Sequence, residues 1–378
     1  MLTSAIAALV FAQAGPSLFS QLFSSRDVTN GYQDYVIAAD MAKTKNLREL
    51  TRSDAPVLEK AKKIAVLMEP MIKLIEDGNR KPATRTGLED WTSTFPELTH
   101  FRELLRGTYE TAYAEAAAGQ WQKSTSTILT GLKFSRRLDA NIIFRLVGIA
   151  GDGVGLMTLS RTIPRLPVPD LERLDRELDQ MLRGDESTLN AISGEIGGAI
   201  KMFTDFQKDP RAHKEFLVNA EGEEPETSKK LRELSPQDLA REIGSAISIL
   251  RDVGSRAIET LKQPEKNWVI DVPTVGFLDD LMPDYTGWLS VMARSRTQLR
   301  LARLMAKVEL YRWQHARLPG ALKDFTAEAD RHDPLSGKDF VYAQTGSGSY
   351  EIYSEGGLEQ GRIDLVYTRS TPQFPAEP

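Results

Sequence analysis

Pro169-Asp170-Leu171-Glu172-Arg173-Leu174-Asp175-Arg176-Glu177-Leu178-Asp179-Gln180-Met181-Leu182 carries the pattern that decides the fold. Leu171, Leu174, Leu178 and Leu182, joined by Met181, recur at three- and four-residue steps, and Glu172, Arg173, Asp175, Arg176 and Glu177 fill the gaps. A helix gathers such leucines on one face and leaves the charges in water. Pro167 and Pro169 stop what precedes, and Asp170 suits the positive end of the helix. The same signature returns elsewhere. Ser235-Pro236-Gln237-Asp238 offers a cap, a proline for the first helical position and an acid in the first turn. Thr94-Phe95-Pro96-Glu97 reads the same way before Leu98, Phe101, Leu104 and Leu105. Helical periodicity holds from about Tyr32 to Trp313.

The breaks are polar. Asp77-Gly78-Asn79-Arg80-Lys81-Pro82 through Gly87 reads as a loop, and Glu221-Gly222-Glu223-Glu224-Pro225-Glu226 as an acidic connection. Gln263 to Gly287, with Pro264, Pro273 and Pro283, reads as an ordered link that packs Trp268, Phe277, Tyr285 and Trp288 on the helices. After Ala327 the period changes. Asp333-Pro334-Leu335-Ser336-Gly337 is a turn signal; Asp339 to Ala343 and Tyr350 to Ser354 alternate like strands around Gly346-Ser347-Gly348, and Ile363 to Thr368 suggests a third. The expected fold is therefore mainly α: a helical domain over residues 27–290, a helix plus small antiparallel sheet over 291–369, and a tail over 370–378. The helix at 291–317 is expected to pack back on the first domain.

Composition narrows the function classes. At 378 residues and 41% hydrophobic content the chain can bury a real core, and a 27% charged fraction near the globular average argues against wholesale disorder. Lys and Arg number 48 against 53 Asp and Glu, a net charge of −5. That balance lacks the basic excess that phosphate neutralisation needs, so nucleic acid is not the expected partner. The absence of cysteine removes disulfides, thiol nucleophiles and zinc-thiolate sites together. Leu2 to Ala12 is almost wholly apolar, and Ala12-Gln13-Ala14 has the small-x-small pattern of a cleavage site before Gly15. Residues 1–14 are read as a signal peptide, although the first basic residue is Arg26. Gln13, Gly15, Pro16 and Ser17 end the run short of the ~20 apolar residues that span a bilayer. No other stretch reads as a membrane span, so the mature chain is expected to be exported and to have no transmembrane segment.

Two stretches resemble a group of exported, helical bacterial proteins with no assigned activity. One is Asn30-Gly31-Tyr32-Gln33-Asp34-Tyr35 with Ala38-Ala39-Asp40. The other runs from Tyr109 to Leu166 and includes Ala116, Gly119, Trp121, Leu132, Arg137, Leu138 and Leu146-Val147-Gly148-Ile149-Ala150. The resemblance implies a fold and a compartment, not a chemistry. Within it, Gly119-Gln120-Trp121 followed by Ser124, Ile128, Gly131 and Leu132 is similar to the turn and second helix of a tetratricopeptide repeat. Thr108, Thr111 and Glu115 stand where that repeat would place large apolar residues, and no copy follows about 34 residues later. A single helical hairpin is the expectation. Leu299 to Tyr353 resembles the globular tail of type II secretion pseudopilins: the stripe Leu301, Leu304, Met305, Val308 and Tyr311, then Arg317-Leu318-Pro319, Asp333-Pro334, Gly337, Tyr342 and Tyr350-Glu351-Ile352-Tyr353. In calcium-binding members acids follow the last glycine; Leu358, Glu359 and Gln360 hold that place here, which does not suit calcium.

No residue set is assigned to catalysis, cofactor or metal. His100, His213, His315 and His332 never pair at metal-motif spacing, although His100 and Glu103 share a helix face. Gly151-Asp152-Gly153-Val154-Gly155 is not a dinucleotide loop, because Leu156 replaces the last glycine and no strand precedes it; Gly148, Gly151 and Gly155 recur instead as a close-contact face of an apolar helix. Glu195, in the apolar run Ala191 to Gly198, is the strongest single acid–base candidate, with a structural ion pair as its expected role. Asp279-Asp280 with Asp284 is read as solvated charge, with a weak cation site as the alternative. The preferred function is an exported, non-catalytic protein that binds or scaffolds protein partners at the cell envelope. The alternatives are a hydrolase acting on envelope polymers, or an assembly element of a secretion or pilus apparatus.

Overall fold

Asn30 shows how the chain starts its helices: the side-chain oxygen accepts from the Tyr32 and Thr84 amides, both at 3.0 Å, and so caps one helix while pinning a distant loop to it. The computed structural model describes residues 17–85, 95–183, 186–208, 234–270, 285–346, 348–356 and 367–368. The expectations for residues 1–14, Glu221 to Glu226, His213, Pro273, Phe277, Asp279, Asp280, Asp284, Leu358 to Gln360 and the 370–378 tail lie outside them.

The protein is mainly helical, with a small antiparallel sheet near the C-terminus. Its first part packs α1 (Leu18–Leu22), α2 (Gly31–Thr44), α3 (Leu47–Arg52), α4 (Val57–Asn79), α5 (Glu97–Ala117), α6 (Trp121–Arg136), α7 (Ile142–Thr162) and α8 (Val168–Arg183) around one apolar core. Asp40 of α2 accepts the Leu18 and Phe19 amides at 2.7 and 2.9 Å, so a buried acid fastens α1. In the centre, Tyr35 and Phe101 both lean on Phe134, with ring centroids 4.6 and 5.5 Å apart. α2 and α4 touch backbone to backbone: a Cβ on Gly31 would lie 2.3 Å from the Gly78 carbonyl oxygen.

The α5–α6 hairpin turns at Gly119, whose φ of +75° is the left-handed conformation that glycine adopts freely. Ser124 donates to the Ala112 carbonyl at 2.7 Å, and Gly131 sits against the Tyr109 ring. The polar residues that looked out of place on α5 are buried and satisfied. Thr108 and Thr111 bond back to the Leu104 and Gly107 carbonyls, and Glu115 accepts from Thr127 of α6 at 2.7 Å.

A second core collects α9 (Ser187–Lys208), α10 (Pro236–Leu261) and the first half of α11 (Tyr285–His315), around Ile192, Ile243, Leu250, Trp288 and Met292. α11 then continues into the first core through Leu301, Leu304, Met305 and Val308. The division expected at residues 290 and 291 falls inside this helix. α11 is tied to α8 by Arg303, which meets Asp175 and Asp179 at 2.7 Å each and also Asp330, in α12 (Glu328–Arg331), at 2.9 Å. β1 (Val341–Gly346) and β2 (Ser349–Tyr353) form an antiparallel hairpin, and the two-residue β3 (Tyr367–Thr368) pairs with β2. The hairpin docks on α11: Tyr350 and Ile352 are fully buried, and the Tyr350 hydroxyl donates to Glu309 at 3.2 Å. Asp333 organises the preceding turn, accepting from Leu335 N at 3.1 Å and from the Ser354 hydroxyl at 2.7 Å.

Candidate functional site

α7 is the element on which the unusual chemistry and the unusual exposure meet. Asn141 caps it, accepting from Phe144 N at 3.1 Å. Its inner face is built by glycines. A Cβ on Gly148 would lie 2.4 Å from the Ser135 carbonyl oxygen, one on Gly151 would lie 2.8 Å from Leu105, and one on Gly155 would lie 2.4 Å from the Tyr109 ring. These glycines bring α7 against α5 and α6, as the three- and four-residue spacing predicted. No phosphate-cradling loop is involved, because the residues are helical throughout.

That close contact encloses charge. Arg145 and Asp152, 1% and 0% exposed, face each other with 3.8 Å between Nη2 and Oδ2. Arg145 also donates to the Ser135 carbonyl at 3.1 Å, and the Ser135 hydroxyl donates to Asp152. The neighbouring Tyr109 hydroxyl is wholly buried with no hydrogen-bond partner among the described residues, and burial together with the Asp152 charge raises its pKa well above the usual phenol value. Every group here is buried between helices, where the charges are held by one another and by the hydrogen bonds around them.

The outer face of α7 is the reverse. Ile143, Leu146, Val154 and Met157 are 50%, 38%, 45% and 54% exposed, and Ala150 between them is exposed too. From Ile142 to Ser160 the only charged residues are the buried Arg145 and Asp152, so this face carries none. Contrary to the expectation that no stretch beyond the N-terminus suits a membrane span, Ile142–Arg165 reaches the length and apolarity of one, though just over half of its apolar window is buried in the protein.

Glu195 is half-buried on α9. Desolvation raises its pKa, and the Ile142 backbone N–H at the start of α7 is the group that opposes the rise. The expected ion pair is absent among the described residues: the carboxylate faces the positive end of a helix, which can hold an anion where a cation would otherwise be needed. Its charge is also felt by the buried Tyr285 hydroxyl, whose pKa is raised by burial first and Glu195 second. His100 Nδ1 lies 3.1 Å from the buried Glu103 carboxylate, and Arg48 pairs with the same carboxylate at 3.6 Å, so these groups engage one another. His315 packs against Tyr311 at the end of α11, with ring centroids 4.1 Å apart and the planes tilted by 39°. Among the described residues no three His, Asp or Glu side chains gather as a metal set.

One polar cleft of about 350 Å³ opens between α6, α8 and the start of α9, lined by Lys133, Arg137, Asp139, Glu177, Glu186 and Asn190. Lys133 neutralises Glu177 at 2.8 Å, and Asn190 donates to Asp139 at 2.7 Å. Burial raises the Asp139 pKa, and the Asn190 hydrogen bond and the Arg145 and Arg137 charges pull it back. Neither this cleft nor the α7 stripe is legible in the sequence: the cleft joins three elements separated in the chain, and the stripe lies on a helix that is apolar on most of its circumference. Compared with known proteins, the chain matches no family model, no curated protein and no solved structure.

Proposed function

We propose that this chain is an exported, non-catalytic protein that binds protein partners at the cell envelope. The supporting observation is the uncharged stripe Ile143, Leu146, Val154 and Met157, left in water on a helix whose other faces are packed. Large apolar side chains aligned on one exposed helix face favour association through that face. The polar groups nearby are sealed or mutually paired, and so offer little for chemistry. The test is photo-crosslinking from Met157 in envelope extracts, with Leu146→Lys as the control. Partners captured by the wild type and lost in the variant support the reading; capture no greater than that of the variant overturns it.

The polar cleft favours a second reading, a hydrolase acting on envelope polymers, because Asp139, Glu177 and Glu186 line one opening. It is the weaker reading, since Glu177 is neutralised by Lys133 and Asp139 is engaged by Asn190. Release of soluble fragments from purified envelope polymer, abolished by Asp139→Asn, would establish it.

A further inference from the structure

The exposed face of α7 has a spacing that reads the same in both directions. Ile143 and Met157 lie seven residues either side of Ala150, and Leu146 and Val154 lie four either side. All five are exposed, and a Cβ on the adjacent Gly153 would meet nothing within 4 Å. The face therefore presents large residues at both ends and a thin middle.

We infer that the occupant of this face is a second copy of the chain, with α7 packed antiparallel on α7 about a two-fold axis at Ala150. This deepens the protein-binding reading above and rests on it. A two-fold interface must be self-complementary, each residue i meeting a residue j whose own partner is i. Here Ile143 of one copy meets Met157 of the other, Leu146 meets Val154, and Ala150 meets itself. The small centre lets the two backbones approach, so the flanking side chains interdigitate beside the crossing point instead of holding the helices apart. The lack of charge favours self-pairing further: two copies meet without like-charge repulsion, and a charged partner would find nothing to complement. At 1.5 Å per residue the stripe is about 21 Å long. Two such faces bury on the order of 800 Å² together, below the roughly 1,200–2,000 Å² of stable complexes and in the range of transient ones, so the dimer is weak and reversible.

The chain contains no cysteine, which makes a single introduced thiol an unambiguous reporter. In the full chain, Ala150→Cys should form a two-chain disulfide under mild oxidation, whereas Ile258→Cys, on an exposed site of α10, should not. Sedimentation should show the wild type moving from one-chain to two-chain mass as concentration rises. Leu146→Lys and Val154→Glu should each raise the dissociation constant about tenfold or more. An equal mixture of those two variants should regain the two-chain species, because a lysine at one position then faces a glutamate at the other across the axis. Unchanged circular dichroism in each variant confirms folding.

A wild type that stays one chain at every concentration overturns the inference, as does a thiol at 150 that cross-links no better than one at 258. Failure of the mixture to recover overturns the register. If the wild type stays monomeric but floats with vesicles of phosphatidylethanolamine and phosphatidylglycerol, and the Leu146→Lys chain does not, the face docks on lipid and the inference is wrong. A monomeric wild type that still cross-links another protein through Met157 leaves the binding reading standing and removes only the two-fold.

Discussion

Arg145 and Asp152 lie two turns apart on one helix, buried to 1% and 0% exposure, and hold each other at 3.8 Å inside an otherwise apolar contact. A charge taken out of water is tolerable only while its counter-charge stays with it. Asp152→Ala removes that counter-charge, and also the acceptor of the Ser135 hydroxyl, so we expect a loss of about 3–5 kcal/mol in urea unfolding. Replacing both, as Arg145→Met with Asp152→Leu, removes the stranded charge and should recover most of the loss. A double variant no more stable than Asp152→Ala would show that the helix contact depends on the pair itself.

Gly31 and Gly244 make an opposed pair of tests. Alanine at Gly31 would put its Cβ 2.3 Å from the Gly78 carbonyl oxygen, which is rigid backbone, so α2 and α4 must separate. Overpacking of that kind costs about 1–3 kcal/mol. Gly244 is exposed inside α10 with nothing within 4 Å of the added atom. There the substitution only removes glycine's backbone freedom, and Gly244→Ala should gain about 0.5–1 kcal/mol. Thermal unfolding of the two variants should therefore move in opposite directions.

Some of this architecture was readable beforehand, and the reason differs by element. The leucines of α8 and the glycines of α7 announce themselves because a helix repeats every 3.6 residues, so burial and close contact leave a period in the chain. Thr108, Thr111 and Glu115 leave no such trace. They look like errors on an apolar face until Thr127, across the hairpin, and the carbonyls one turn back supply their bonds. Glu195 hides its partner altogether, because a backbone amide at Ile142 has no residue type to search for. The outward stripe of α7 is invisible for another reason: with apolar residues all round, periodicity cannot say which face the neighbours leave open.

Tyr350 tests how the hairpin is fastened. Its hydroxyl is buried and donates to Glu309, which Arg312 also holds at 2.5 Å. Tyr350→Phe keeps the ring packed and deletes one hydrogen bond to a charged group, a loss of about 1.5–3 kcal/mol. Because Ile352 stays buried on α11, we expect faster amide exchange in β1 and β2 with little change in α5 and α6. Equal acceleration everywhere would mean that the hairpin and the helices unfold as one unit.

Glu195 and Glu265 should give opposite pH dependences. Desolvation dominates at Glu195 and raises its folded-state pKa above 4.5. The folded state then holds the proton longer than the unfolded chain, so stability falls as pH rises from the unfolded value through the folded one, and stays lower beyond it. At Glu265 desolvation also opposes ionisation, but Arg300 at 2.7 Å and Arg296 at 3.0 Å outweigh it, and the net shift is downward. Its contribution is present above the unfolded pKa and is lost as pH falls through the folded one. Glu195→Gln should therefore gain on the wild type between pH 4.5 and 7.5, since the amide oxygen can still accept from Ile142 without carrying a desolvated charge. Glu265→Gln should be less stable than the wild type by a near-constant amount across that interval, leaving Arg296 and Arg300 without their shared carboxylate, and the deficit should shrink only as pH falls below 4.5. Melting temperatures of the three proteins at those two pH values decide it: a Glu195→Gln difference that does not grow with pH would show that the carboxylate is solvated and that the α7 terminus holds no charge.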